Sequence, residues 1–173
     1  MQDDLFGITG LDLPVQPERG VLMSLNPEYY ELIWQRLKFH EFRRRYLADR
    51  PTTWFVYLTA PVSRLTAVID LDTAIVDTPA QIAQIAERAR EGNGESVYEY
   101  LKDLERGFAI PIKQVREYPG FTAQDLTGLL GSFHPPQGYT LVDRHPALAS
   151  ACDKLTSADV ARELVVARSA SVG

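Results

Sequence analysis

The chain has one cysteine, Cys152, in 173 residues, so no intramolecular disulfide can staple it and no thiolate zinc site can be assembled from a single copy. Histidine is scarce as well. His40, His134 and His145 are scattered, without the short spacings of a metal site, and neither a metal nor a cofactor is expected. Long apolar runs are also missing. Nothing approaches the ~20 residues of a membrane span, and the start Met1-Gln-Asp-Asp-Leu5 has neither the basic opening nor the apolar centre of a signal peptide. A cytoplasmic protein without membrane contact is therefore expected. No Gly-rich phosphate loop, Ser nucleophile elbow or His-Glu zinc helix occurs, which leaves the large enzyme classes built on those motifs unsupported.

What is present is a basic island on an acidic body. Between Gln35 and Arg50, six cations (Arg36, Lys38, Arg43, Arg44, Arg45, Arg50) stand against two acids (Glu41, Asp49), a local balance of +4 in a chain of net charge -5. Such an island suits an anionic ligand, because the surrounding acidity discourages non-specific adhesion while the island keeps its local field. The competing reading is a solvated strand edge whose charges prevent aggregation.

Residues 1–19, with Gly7, Gly10, Pro14 and Pro17, read as a flexible extension. Val21–Leu25 is a short buried strand. Asn26-Pro-Glu28 then starts a helix, with Asn as N-cap, Pro at the first position and an acid in the first turn. Tyr29, Tyr30, Ile33, Trp34 and Leu37 recur at helical spacing. Ile33 and Leu37 read as core, and Trp34 as core or binding platform. From Leu37 the period falls to two, with Leu37, Phe39 and Glu41 on one face and Lys38, His40 and Phe42 on the other. The apolar set changes face between Phe39 and Phe42, so a bend near His40-Glu41 is expected, and it would bring Lys38 and Glu41 to one side.

Trp54–Ala60 is the strongest strand, stopped by Pro61, with Leu65–Asp72 as its antiparallel neighbour. Thr78-Pro79 opens a helix with Ile82, Ile85 and Ala86 facing inward, ended by Gly92-Asn-Gly94. Ser96-Val-Tyr-Glu99 has the form of a capping box, predicting a third helix to about Glu105. Phe108–Tyr118 returns to strand, with Pro111 at an edge or bulge. Thr122-Ala-Gln-Asp125 caps a helix to Leu130, and Tyr139–Val142 is a last strand. Beyond Asp143 the pattern is helical, with Val160, Leu164 and Val165 as a weak stripe. That tail, residues 143–173, is a packed helix, a helix for a protein partner, or partly disordered. Strands in near-antiparallel succession with helices inserted between them predict an α+β fold, a small mixed barrel over residues 20–142.

The order Val21–Pro27, helix, Lys38-Phe-His-Glu-Phe-Arg43, Val56-Tyr-Leu-Thr-Ala-Pro-Val62, Leu65–Asp70 resembles the ASCH domain family, a branch of the PUA-like β-barrel superfamily. The resemblance covers residues 21 to 118 and extends to 142 if Pro135–Tyr139 is the family's closing strand. The family's strand motif has Gly, Lys two positions on, Glu or Thr three after the Lys, and Arg two further. Lys38, Glu41 and Arg43 keep it, while Arg36 stands where Gly is common. The resemblance implies a barrel with a cleft beside the first helix and binding of RNA or modified nucleosides. Some relatives resemble coactivator-associated or translation-linked regulators. One bacterial branch is an amidohydrolase that deacetylates N4-acetylcytidine with a Lys, a Thr and a Glu.

The residues fit nucleic acid. Lys38, Arg43, Arg44 and Arg45 can neutralise phosphates, and Phe39, Trp54 and Tyr57 offer faces for an unstacked base, though Trp54 and Tyr57 sit in the most apolar strand and read as core ahead of platform. Glu41 either accepts from a base amine or pairs with Arg43. If the chain is an enzyme, acting on modified nucleosides or RNA as an amidohydrolase or nuclease, Lys38 and Glu41 are the catalytic candidates. Glu41 replaces the Thr of the amidohydrolase branch, leaving Glu91 or Glu95 as the second acid. A third possibility is a protein-interaction module that docks through its C-terminal tail.

Overall fold

The computed structural model describes residues 19–47 and 49–167; the expected N-terminal extension lies outside them up to residue 18. Strand β1 (Val21–Leu25) runs into helix α1 (Pro27–Trp34) through the cap expected for it, with the Asn26 side chain accepting from the Glu28 N–H at 2.8 Å. Tyr30 and Ile33 of α1 are buried. The helix does not continue to Leu37. Arg36 takes φ +61, and the Leu37 and Lys38 amides both donate to the Leu32 carbonyl, at 2.8 and 3.1 Å. This turn reverses the chain and leaves Leu37 44% exposed, correcting its reading as core. Regular strand begins only at β2 (His40–Arg43).

Strand β3 (Thr52–Leu58) pairs in parallel with β1 and antiparallel with β4 (Arg64–Leu71), so the Trp54 segment sits mid-sheet as its composition predicts. After β5 (Ile75–Asp77) come α2 (Pro79–Ala89), α3 (Asn93–Leu101) and β6 (Gly107–Thr122). Then follow α4 (Ala123–Leu130), β7 (Tyr139–Leu141), α5 (Pro146–Ser157) and β8 (Arg162–Val165). The path across the sheet is β2-β6-β4-β3-β1-β7, with β5 and β8 also on β6. The result is a mixed α+β fold with a curled half-barrel sheet.

β6 organises the curl. Residues 107–111 are flanked by β2 and β5, whereas residues 112–122 are flanked by β4 and, over 114–117, by β8. Pro111 sits at the handover, where its missing N–H costs no ladder bond; its carbonyl accepts from Asp72 N–H, and Ile112 N–H turns to Phe39 O, both at 2.9 Å. Alternation along the strands fills two cores. Met23, Trp54, Val56 and Ile69 pack with Tyr30 and Ile33, while Leu22, Phe55, Tyr57 and Val68 pack with residues of α4 and α5.

Two elements differ from expectation. α3 starts at Asn93, and Ser96 lies inside it, because the cap comes from the preceding helix. The Glu87 carboxylate accepts from Gly92 and Gly94 N–H, which holds its pKa below the usual value. The helix ends at Leu101, short of Glu105. The second difference is β8, where Leu164 and Val165 were expected on a helical stripe. Four residues cannot distinguish the two periods, and the open side of β6 recruits them as strand. The tail is helical over α5, whose Leu148, Ala149, Cys152 and Leu155 are spent in the second core. Burial pushes the Cys152 thiol up to about 12, so it offers no nucleophile.

Candidate ligand-binding cleft

A cleft of about 380 Å³ opens between α1, the Leu37–Arg43 segment and the α2–α3 pair. The turn at Arg36 and the start of β2 set its floor. Lys38 precedes the regular strand, so strict alternation does not separate it from Glu41; β2 itself pairs regularly with β6 from His40 to Arg43, without the bend expected near His40-Glu41. Lys38 Nζ lies 3.2 Å from Glu41 Oε1, and Arg43 Nη2 lies 2.7 Å from Glu41 Oε2. Arg43 Nη2 also donates to Ser24 O at 2.8 Å, which anchors the row to β1, and its guanidinium lies 5.6 Å from the Trp54 ring centroid. Trp54 is itself held by its indole N–H, donating to Met23 O at 2.9 Å. All three charged side chains are largely buried. Of the two roles open to Glu41, the pair with Arg43 is present, and Lys38 adds a second cation.

The other predicted residues divide. Phe39 is half-buried, lines the cleft and packs on the main core. Arg44 points elsewhere, binding both oxygens of Asp103 at 2.7 and 2.8 Å and the Tyr100 carbonyl; this partner holds the Asp103 carboxyl down to about 2. Arg45 is exposed and outside the cleft lining. Tyr57 is corrected: it is 2% exposed on the opposite face of the sheet, 4.9 Å from the Phe133 ring, and cannot meet a ligand in the cleft. Glu91 and Glu95 are both exposed and line no part of it. Trp34 is partly buried, with the Arg162 guanidinium 4.0 Å from its ring centroid, and it serves as the clasp between α1 and β8.

Other cleft residues were not anticipated. Tyr29, His40, Phe42, Arg90, Asn93 and Tyr100 also line it. The α2–α3 wall arrives some fifty residues after Lys38, and no local pattern announces that it folds across the basic segment. His40 is held below its usual pKa, first by burial and then by Lys38, and its ring lies 5.9 Å from that of Phe42. A neutral buried imidazole ties stability to pH. Below the unfolded value the unfolded chain binds the extra proton first, so stability falls as pH drops below about 6.5 and levels off under the folded pKa. His40→Gln should flatten that slope in urea titrations between pH 7 and 5; an unchanged slope would place the proton uptake elsewhere.

Among solved structures, the ASCH protein of Zymomonas mobilis superposes with a TM-score of 0.64 at 21% identity, over 80% of this chain and 94% of that one. Two single-substitution variants of that protein, Tyr to Phe and Ser to Ala, each give 0.67, covering 80% and 82% of this chain. The chain has the ASCH fold. No protein-family model and no curated protein matches it. Two positions before Lys38, Arg36 adopts φ +61, a conformation that glycine takes without steric cost. Arg36 accepts the strain and donates to Val165 O at 3.2 Å, closing α1 onto β8.

Among the described residues no group of three or more His, Cys, Asp or Glu could hold a metal, and no helix is long and apolar enough to cross a membrane.

Proposed function

We propose that this chain binds single-stranded RNA or a nucleoside, modified or not, in the cleft beside α1. The observation that carries this reading is the buried row Lys38–Glu41–Arg43 at the floor of a small, aromatic-walled cleft. At about 380 Å³ it is in the range of small-ligand sites, large enough for one unstacked base with its sugar. Flat side chains give such a base a surface, and fixed charges orient its polar edge.

The hydrolase reading is less well supported. Lys38 is committed to an ion pair with Glu41, an arrangement that uses its charge and not its lone pair, and neither Glu91 nor Glu95 reaches the cleft to act as second acid. A docking role for the C-terminal tail has less to offer, since the apolar face of α5 is already covered.

Fluorescence titration with short single-stranded RNA tests the proposal. Lys38→Ala should weaken binding about tenfold or more, the scale of one lost charge-assisted hydrogen bond, whereas Arg45→Ala should change it by no more than about twofold. The wild-type preparation should release no acetate from N4-acetylcytidine. Equal effects of the two substitutions would move the site out of the cleft, and acetate release abolished by Lys38→Ala would replace the binding reading with the hydrolase.

A further inference from the structure

We infer that the cleft takes its ligand by a terminal phosphate: a nucleotide, not a neutral nucleoside. This rests on the nucleoside-cleft reading above and narrows it. The cleft lining contains three cations, Lys38, Arg43 and Arg90, and one carboxylate, Glu41, which leaves a net charge of +2 with His40 neutral. The imbalance is local, since the whole chain carries -5.

The balance left over falls on Arg90. Both oxygens of Glu41 are engaged, one by Lys38 and one by Arg43. Arg90, at the C-terminal end of α2, has no carboxylate partner among the described residues; its guanidinium donates to a neutral amide, Nη2 to Asn93 Oδ1 at 3.2 Å. Two guanidinium nitrogens of the lining, Arg43 Nε and Arg90 Nε, are buried without a hydrogen-bond partner. A guanidinium nitrogen only donates, and a donor left buried and unpaired is costly, so neither guanidinium is fully satisfied within the protein. A phosphate monoester brings three acceptor oxygens and a charge of about -1.5 to -2 at neutral pH, which matches the +2 of the lining. A planar guanidinium fork is the group best shaped to receive it.

The rim says what the phosphate is attached to. Tyr29 and Tyr100 line the cleft yet are 53% and 45% exposed. Both are open to solvent, whereas Lys38, Glu41 and Arg43 are largely buried. A ligand with the phosphate inward and a flat base outward satisfies both zones. An inorganic anion would use only the inner one, and a neutral nucleoside only the outer one.

The experiment compares uridine 5′-monophosphate, uridine and ribose 5-phosphate by calorimetry on wild type, Arg90→Gln and Arg90→Lys, with circular dichroism to confirm that each variant is folded. In wild type the nucleotide should bind about tenfold or more tighter than uridine and tighter than ribose 5-phosphate. Arg90→Gln should bring nucleotide and nucleoside close to equal, and Arg90→Lys should restore part of the difference. Equal affinity of wild type for uridine and its monophosphate would overturn the phosphate assignment and leave the nucleoside cleft standing. Ribose 5-phosphate binding as tightly as the nucleotide would overturn the role of the base. A nucleotide preference that survives Arg90→Gln would overturn the role of Arg90. Binding of none of the three would overturn this inference together with the reading it rests on.

Discussion

Glu41→Ala should destabilise the protein by about 3–5 kcal/mol, because it strips a buried carboxylate from between two buried cations and leaves both uncompensated. For a chain of this size that corresponds to a fall of roughly 6–20 °C in Tm. The size follows from position. Glu41 bridges Lys38 at 3.2 Å and Arg43 at 2.7 Å, and Arg43 carries the connection on to β1 through Ser24 O. Glu41→Gln should lose less, since the amide oxygen still accepts from one cation. Replacing Lys38 and Glu41 together by Met should recover part of the loss, because a pair removed whole leaves fewer orphaned charges. Urea unfolding gives the comparison. A Glu41→Ala midpoint within about 1 kcal/mol of wild type would mean that the charged row is solvated, and with it the case for a preorganised floor would fall.

The second large effect is expected at Gly120 on β6. Its φ is +74, and a Cβ there would lie 2.1 Å from the Leu65 carbonyl oxygen and 2.8 Å from the Thr66 Cα. Both are backbone atoms, in the stretch where β4 and β6 shift register and Thr66 Oγ1 donates to Tyr118 O, so no side chain can move aside. Gly120→Ala should therefore cost about 3–5 kcal/mol, in the tail of single-substitution effects. Gly92 is the control. It has φ +88 and nothing within 4 Å of a Cβ, so Gly92→Ala should show only the left-handed penalty of about 1–2 kcal/mol. Equal losses at the two sites would show that backbone conformation, not the close approach of strands, limits Gly120.

How far the sequence predicts the structure depends on how local each signal is. The start of α1 is legible because Asn26, Pro27 and Glu28 act on the next turn alone. The meeting of Lys38 and Glu41 is legible only in part: a bend at His40-Glu41 was expected to make it, whereas β2 is regular there and Lys38 stands before the strand, outside its alternation. The β3–β4 pair follows from composition and a short connection. The start of α3 is not legible, since its cap is Glu87, a side chain of the previous helix that resembles any other surface acid. β8 is hidden because its four residues acquire strand character only from the open side of β6. In the site, Arg90 and Tyr100 belong to a wall that tertiary packing alone brings over the basic segment. Tyr57 was misplaced for a related reason: an aromatic residue on a two-faced sheet can pack against either layer, and it packs beneath α4 and α5.

The position of β6 bears on how the protein can be made. Because β2, β4, β5 and β8 all hydrogen-bond to residues 107–122, a nascent chain that has emerged only as far as Arg106 carries three strands whose shared partner has yet to leave the ribosome. At ordinary synthesis rates of about 5–20 residues per second, those sheet edges wait unpaired until Gly107 to Thr122 arrives. The cleft waits with them, since β2, which carries Glu41 and Arg43, is anchored to the sheet through β6. Assembly is therefore a late step, completed from the C-terminal side, and no N-terminal fragment ending before β6 can hold the finished site.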